Sequence, residues 1–188
     1  MYEVIWHGRG GQGVVIAAQI LAESAYLQGF KGVTSAPTFG PERRGAPLTA
    51  STRISDTPIR TFSQIVKADV AVVLDPSLFG AVDILGSLKP GGLIIINTVR
   101  KPDEIDLQGS LRIATLDAAA IALKFHLLKE GAPIVNTPML GVFSKASGLV
   151  ALEYLEKGLR WKLAGTAAAT NIAALRAAYE ETCIKKIE

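Results

Sequence analysis

The sequence predicts an α/β domain: a three-layer α/β/α sandwich around a mostly parallel sheet, with some antiparallel pairing. Three observations predict it. The chain opens as a strand, a glycine loop and a helix. Two continuous apolar runs, residues 68–74 (ADVAVVL) and 93–96, read as strands that need both faces covered. Residues 48–54 read as another strand and meet a turn signal at once, a connection too short for a parallel crossover.

Each element follows from local residue chemistry. Residues 2–7 are rich in β-formers, with Val4, Ile5 and Trp6 at the centre. They run into Gly8-Arg9-Gly10-Gly11-Gln12-Gly13. Residues 14–28 are almost all apolar, and Gln19 and Glu23 share one narrow stripe, so this helix is buried on most of its circumference. Gly29 supplies its C-terminal stop. Residues 32–36 form a short strand, and Gly40-Pro41 and Gly45 mark 38–47 as a loop. After strand 48–54, Ser55-Asp56-Thr57-Pro58 turns the chain towards an extended piece at 59–61, with antiparallel pairing across that turn. Beyond strand 68–74, Asp75 caps and Pro76 opens a helix running to residue 85. Pro90-Gly91-Gly92 turns the chain into strand 93–96. A polar loop at 101–109 precedes a strand at 111–115. Asp117 caps a helix to residue 129, which Gly131-Ala132-Pro133 stops. Thr137 caps and Pro138 opens the next helix, and residues 149–156 are helical. The last helix covers 167–185, with Ala168, Ile172, Leu175, Tyr179 and Cys183 on one stripe. No repeat, low-complexity tract or linker divides residues 1–188, which read as one domain.

Composition bounds the function. A chain of 188 residues buries roughly 70% of its unfolded surface and needs no covalent staple. Hydrophobic residues make up 49% and charged residues 20%, which excludes disorder and leaves apolar surface for a partner. A net charge of +3 without basic blocks does not suit a nucleic-acid protein. One cysteine excludes a disulfide framework and a cysteine-ligated iron–sulfur cluster within this chain. The opening MYEVIWHG lacks a signal peptide's basic and apolar regions, and no apolar run approaches the roughly 20 residues of a membrane span. The expectation is a cytoplasmic protein with no membrane or nucleic-acid partner.

Two segments carry chemistry. Gly8, Gly10 and Gly13 match G-x-G-x-x-G between a strand and a helix, a Rossmann-like arrangement whose helix N-terminus suits an anion. A dinucleotide site expects an acid about 20 residues on. Thr34, Ser35, Ala36 and Pro37 stand there instead, and no Walker-type phosphate loop is present. The bland alternative is a glycine turn that only packs the first helix. The second segment is Phe39-Gly40-Pro41-Glu42-Arg43-Arg44-Gly45, where two adjacent guanidinium groups suit carboxylates or phosphates. At the strand ends, this loop would lie near the first glycine loop. His7 reads as a hydrogen-bonded, half-buried histidine, His126 as a structural helix residue, and Cys183 as a buried thiol on the core stripe. Asp75 and Asp117 read as helix caps, not as an acid/base pair. Two separated histidines give no metal site.

HGRGGQG at 7–13, FGPERRGAP at 39–47, RISD at 53–56 and NTPMLG at 136–141, in this order, closely resemble the γ subunit of 2-oxoacid:ferredoxin oxidoreductases, and the resemblance spans essentially the whole chain. The arginine pair with Gly-Ala-Pro resembles the pyruvate or branched-chain branch. The resemblance implies a complex that oxidatively decarboxylates a 2-oxoacid with coenzyme A, giving acyl-CoA, CO2 and reduced ferredoxin. It also implies that thiamine diphosphate, Mg2+ and 4Fe–4S clusters sit in partner subunits. Those partners would be α, β and a ferredoxin-like δ subunit, and this chain alone would bind no cofactor and lack activity. The isolated chain could pair with a second copy. Gly8, Arg9, Gly10, Gly11, Gln12, Gly13, Gly40, Pro41, Glu42, Arg43, Arg44, Asn136 and Thr137 are then the expected ligand or interface residues, facing the catalytic subunits or the coenzyme A path. Two other readings compete: a free-standing anion- or nucleotide-binding module, and an NAD(P)-dependent oxidoreductase, disfavoured by the missing acid.

Overall fold

The computed structural model describes residues 1–37, 44–61, 63–107 and 109–185. A seven-stranded sheet forms the centre, in the order β2-β3-β1-β4-β5-β6-β9. Its strands are β1 (Tyr2–Arg9), β2 (Gly32–Pro37), β3 (Pro47–Ser55), β4 (Ala68–Val73), β5 (Leu88–Asn97), β6 (Arg112–Leu116) and β9 (Cys183–Lys185). β1, β4, β5 and β6 run parallel at the centre. β3 pairs antiparallel with both β1 and β2, and β9 pairs antiparallel with β6. A two-stranded hairpin, β7 (Leu128–Lys129) and β8 (Ala132–Pro133), stands apart.

Among the described residues, five helices accompany the sheet: α1 (Val14–Gln28), α2 (Ala118–Lys124), α3 (Asn136–Ser147), α4 (Leu152–Lys162) and α5 (Gly165–Glu181). All five contribute to one core with Val4, Trp6, Val70, Val72, Leu93 and Ile95. The Trp6 ring lies 6.1 Å from that of Phe143, and its indole N–H donates to Thr52 Oγ1, which donates to the Ala18 carbonyl. The alternate strand residues Ala71, Val73, Ile94 and Ile96 face the other way, onto Leu78, Ile84 and Leu88. The α/β class and the mostly parallel centre are therefore as expected. The third layer is built from 3-10 turns and connecting segments where the sequence suggested α-helices.

The expected helix from Pro76 to residue 85 is a 3-10 turn over Pro76–Gly80, followed by a second over Leu85–Ser87. Asp75 does cap it, accepting from the Ser77 N–H. Gly80 weakens the helix interior by about 1 kcal/mol, enough to break so short a helix, and Gly86 stands just past its expected end. Pro90-Gly91-Gly92 does not end a segment. β5 runs through it, with a register shift opposite Ala68 to Val70 and Gly91 at φ 74°. Residues 58–61 form no strand; the antiparallel partners of β3 are β1 and β2.

Helix α2 stops at Lys124, five residues short of expectation. The Leu127 N–H bonds back to the Ala122 carbonyl and that of His126 to Leu123, closing a Schellman motif with His126 left-handed at φ 54°. This turn drops Leu127 into the core and sends the chain into the β7–β8 hairpin. Helix α3 begins at Asn136, with Val135 and not Thr137 as its N-cap. Helix α4 begins three residues later than expected. Helix α5 ends at Glu181 because Thr182 turns extended, so Cys183 leaves the helical stripe and lies exposed on β9. Ala168, Ile172 and Leu175 keep the buried stripe, joined by Ala178.

Candidate functional site

The glycine loop sits where the connections from the sheet diverge. From β1 the chain passes through α1 to the edge strand β2, while β4 lies on the other side of β1. Such a switch point, at the C-terminal ends of parallel strands, is where open α/β sheets place ligands. A cleft of about 810 Å³ opens there. The glycine loop, Leu74, Asn97 and Val135 line it, with Arg44, Lys129 and Glu130 among its charged residues.

Gly13 is the N-cap of α1 at φ 78°, without a side-chain cap, and no acid occupies the helix's first turn. Gly11 is also left-handed, at φ 98°. A Cβ on Gly13 would run into the Asn136 amide, and one on Gly8 would crowd the Val14 side chain and Gln12 Oε1. Gly10 meets another stretch of backbone: its N–H donates to the Ala46 carbonyl, and its own carbonyl accepts from Gly45. The Gly10–Arg44 bridge thus draws residues 44–46, the described end of the arginine segment, onto the glycine loop. Gly40, Pro41, Glu42 and Arg43 lie outside the described residues. Arg44 is exposed and forms an ion pair with Glu130.

Arg9 and Gln12 turn back into the protein. Arg9 Nε donates to Asp75 at 3.0 Å, Nη1 to the Gly45 carbonyl at 3.0 Å and Nη2 to Ser77 Oγ at 2.8 Å. Gln12 accepts from the Arg9 N–H and donates to Asp75. Burial alone would raise the Asp75 carboxyl. Hydrogen bonds from Ser77 and Gln12 and the Arg9 charge outweigh it and hold the carboxyl below its usual range. This network clamps the loop to the end of β4 and to residues 45–46.

Asn136 and Thr137 are buried behind the loop. Asn136 Nδ2 reaches the Gly13 carbonyl at 3.4 Å and its Oδ1 accepts from the Thr137 N–H. Thr137 Oγ1 donates to Asn171 Oδ1 on α5 at 2.8 Å. Gly141, later in the same motif, lets α3 approach the Leu175 carbonyl and the Tyr179 N–H of α5. The RISD motif lies at the far end of the strands. Arg53 is buried, donates to Glu3 at 3.0 Å and to the Ser63 carbonyl at 2.7 Å, and Lys89 joins Glu3 to Asp69. Sequence reasoning missed this network, because its carboxylates lie far from the motif in the chain.

His7 is buried at 5% exposure, and neither ring nitrogen has a hydrogen-bond partner among the described residues. It is not the half-buried, bonded histidine expected. Desolvation lowers its pKa from 6.5 to about 4, so the ring is neutral. An unfolded chain binds the extra proton between those values. His7 therefore contributes its full stability above pH 6.5 and loses it as pH falls towards 4, a change on the order of 3 kcal/mol. Urea midpoints measured from pH 7 to 4.5 should fall in the native protein. The fall should be clearly smaller in His7→Leu; an equal slope in both would refute the assignment. His126 is exposed past the end of α2, not within a helix. Among the described residues, no three His, Cys, Asp or Glu gather as metal ligands.

The fold and site define a glycine-loop α/β domain with a cleft at the carboxyl ends of its parallel strands. Residues 3–181 match the pyruvate ferredoxin/flavodoxin oxidoreductase family, and the chain belongs to that family as a γ-type member. It is 45% identical over 190 residues to the pyruvate/ketoisovalerate oxidoreductases common subunit gamma of Thermococcus litoralis, covering 100% of each chain. It is 43% identical over 182 residues to pyruvate synthase subunit PorC of Methanothermobacter thermautotrophicus, covering 96% of each. The crystal structure of the pyruvate oxidoreductase subunit PORC from Thermotoga maritima superposes with a TM-score of 0.84 at 34% identity, covering 98% of each chain. These relatives are subunits of oxidoreductase complexes. Among the described residues, no helix is long and apolar enough to cross a membrane.

Proposed function

We propose that this chain is the γ subunit of a complex that oxidatively decarboxylates a 2-oxoacid, pyruvate foremost, with coenzyme A and passes the electrons to ferredoxin. The family membership and the relatives' names support the subunit role. The observation that carries the site is the bridge between Gly10 and Arg44, which sets a cationic side chain beside the glycine loop at the strand ends. In this reading the cleft faces the catalytic subunits or the path of coenzyme A, and Arg43 and Arg44 hold a carboxylate or the coenzyme A phosphates there.

Among the described residues, the chain offers no ligand set for an iron–sulfur cluster. Its one cysteine is exposed on β9, and the described residues gather no metal-ligand set. In this reading thiamine diphosphate, Mg2+ and the 4Fe–4S clusters sit in α, β and ferredoxin-like δ partners, as the family resemblance implies. Exposed Ile16, Leu123 and Leu128 offer apolar area for such a partner, or for a second copy in the isolated chain. The complex works in the cytoplasm.

The test is a tagged pull-down from the native cell, followed by anaerobic assay with pyruvate, coenzyme A and a viologen dye. Larger subunits should co-purify with pyruvate-dependent dye reduction. In that complex, Arg43→Ala/Arg44→Ala should raise the KM for coenzyme A several-fold or prevent assembly. Unchanged assembly and kinetics would remove the arginines from the site. A chain that comes down alone and binds a nucleotide at micromolar concentration would instead establish a free-standing binding module.

A further inference from the structure

Among the described residues, one ion pair spans the cleft, from Arg44 beside the glycine loop to Glu130 at the tip of the β7–β8 hairpin. The hairpin tip is unusual. Glu130 and Gly131 both have positive φ, 52° and 79°, the pair of conformations a type I′ turn requires. Asn, Asp or Gly normally fills the first of these positions, because a longer L side chain is strained there. A glutamate at this position reaches Arg44. The hairpin has few other ties. It holds two residue pairs, and Leu128, Lys129, Glu130 and Gly131 are all exposed. Its base is bounded by left-handed His126 on one side and the start of α3 on the other. Arg44, by contrast, stands on a segment fixed by backbone bonds to Gly10 and by the Arg9 guanidinium.

We propose that Glu130 is an internal competitor for Arg44: it straps the hairpin across the cleft and occupies the guanidinium until an external anion displaces it. The anion class is a phosphate or carboxylate, the groups that guanidinium N–H donors recognise. Displacement frees the hairpin to swing away and opens the cleft. The inference rests on the reading of Arg44 as an anion-facing residue. Its test needs no partner subunit, so the strap and the subunit role can fail separately.

Hydrogen exchange on the full chain reads the strap directly. The reporter is the set of hairpin amides, including Ile134, whose N–H donates to the Leu127 carbonyl. Glu130→Gln and Arg44→Ala should each speed their exchange about twofold to fivefold, the range for one exposed ion pair. The double variant should go no further than either single one. Inorganic diphosphate should speed exchange in the native chain and have no such effect in Glu130→Gln. Unchanged exchange in both single variants, or additive effects in the double, would overturn the strap. Native exchange that diphosphate leaves unchanged or slows would overturn the competition.

Discussion

Gly13→Ala should destabilise the protein by about 2–5 kcal/mol, lowering the melting temperature by roughly 4–20 °C for a chain of this size. Two costs combine. A left-handed φ of 78° costs an L residue about 1–2 kcal/mol. The added Cβ must also displace the Asn136 amide, which is buried and bonded to the Gly13 carbonyl and the Thr137 N–H. Stranding those groups costs a further 1–3 kcal/mol or so. Gly11→Ala separates the two costs. Gly11 has φ 98°, but a Cβ there meets nothing within 4 Å, so only the conformational cost applies. Asn136→Ala, placed in the Gly13→Ala background, should restore part of the loss by making room, a coupling that a double-mutant cycle measures. Equal losses for Gly11→Ala and Gly13→Ala, with no coupling to Asn136, would show that α3 does not support the loop.

That support was half legible in the sequence. The glycine spacing after a strand announced a tight turn at the start of α1, and the apolar runs announced buried strands. Both are local signals that survive folding. The residues bracing the loop were not legible, since Arg9 and Asp75 meet across 66 positions. A guanidinium in a glycine motif looks the same in one dimension whether it faces a ligand or its own protein. Similarly, apolar strands 68–73 and 93–97 require cover on both faces, but nothing local says whether helices or turns supply it. Gly80 and Gly86 were the available hint that the third layer would not be helical. The hairpin is hidden because Glu130-Gly131 is not one of the strong type I′ signals, so the helical pattern before it reads on to residue 129. Cys183 shows the same limit: an i, i+4 pattern extends on paper past Thr182, where the backbone has already turned extended.

Arg53→Ala should cost about 3–5 kcal/mol without touching the cleft. Arg53 is the positive centre of a network at the amino ends of the strands, with a side chain 7% exposed against a Glu3 side chain 17% exposed. Removing it takes the close partner from Glu3 and leaves the Ser63 carbonyl without its donor. Lys89 stays within 3.4 Å of Glu3 but is itself held at 2.9 Å by Asp69. Burial would lower the Lys89 pKa, yet bonds and charge from Asp69 and Glu3 keep it above its ordinary value, so it remains a cation throughout the neutral range. It can absorb part of the loss, not all of it. Arg53→Met with Glu3→Leu should recover most of the stability, because replacing both partners with apolar groups abolishes the stranded charge. Urea unfolding of the three variants decides the matter. A cost below about 1 kcal/mol for Arg53→Ala would mark the pair as an ordinary surface bridge. A double variant no better than Arg53→Ala would mean that the bond to Ser63, and with it the path of the chain into β4, is what the arginine secures.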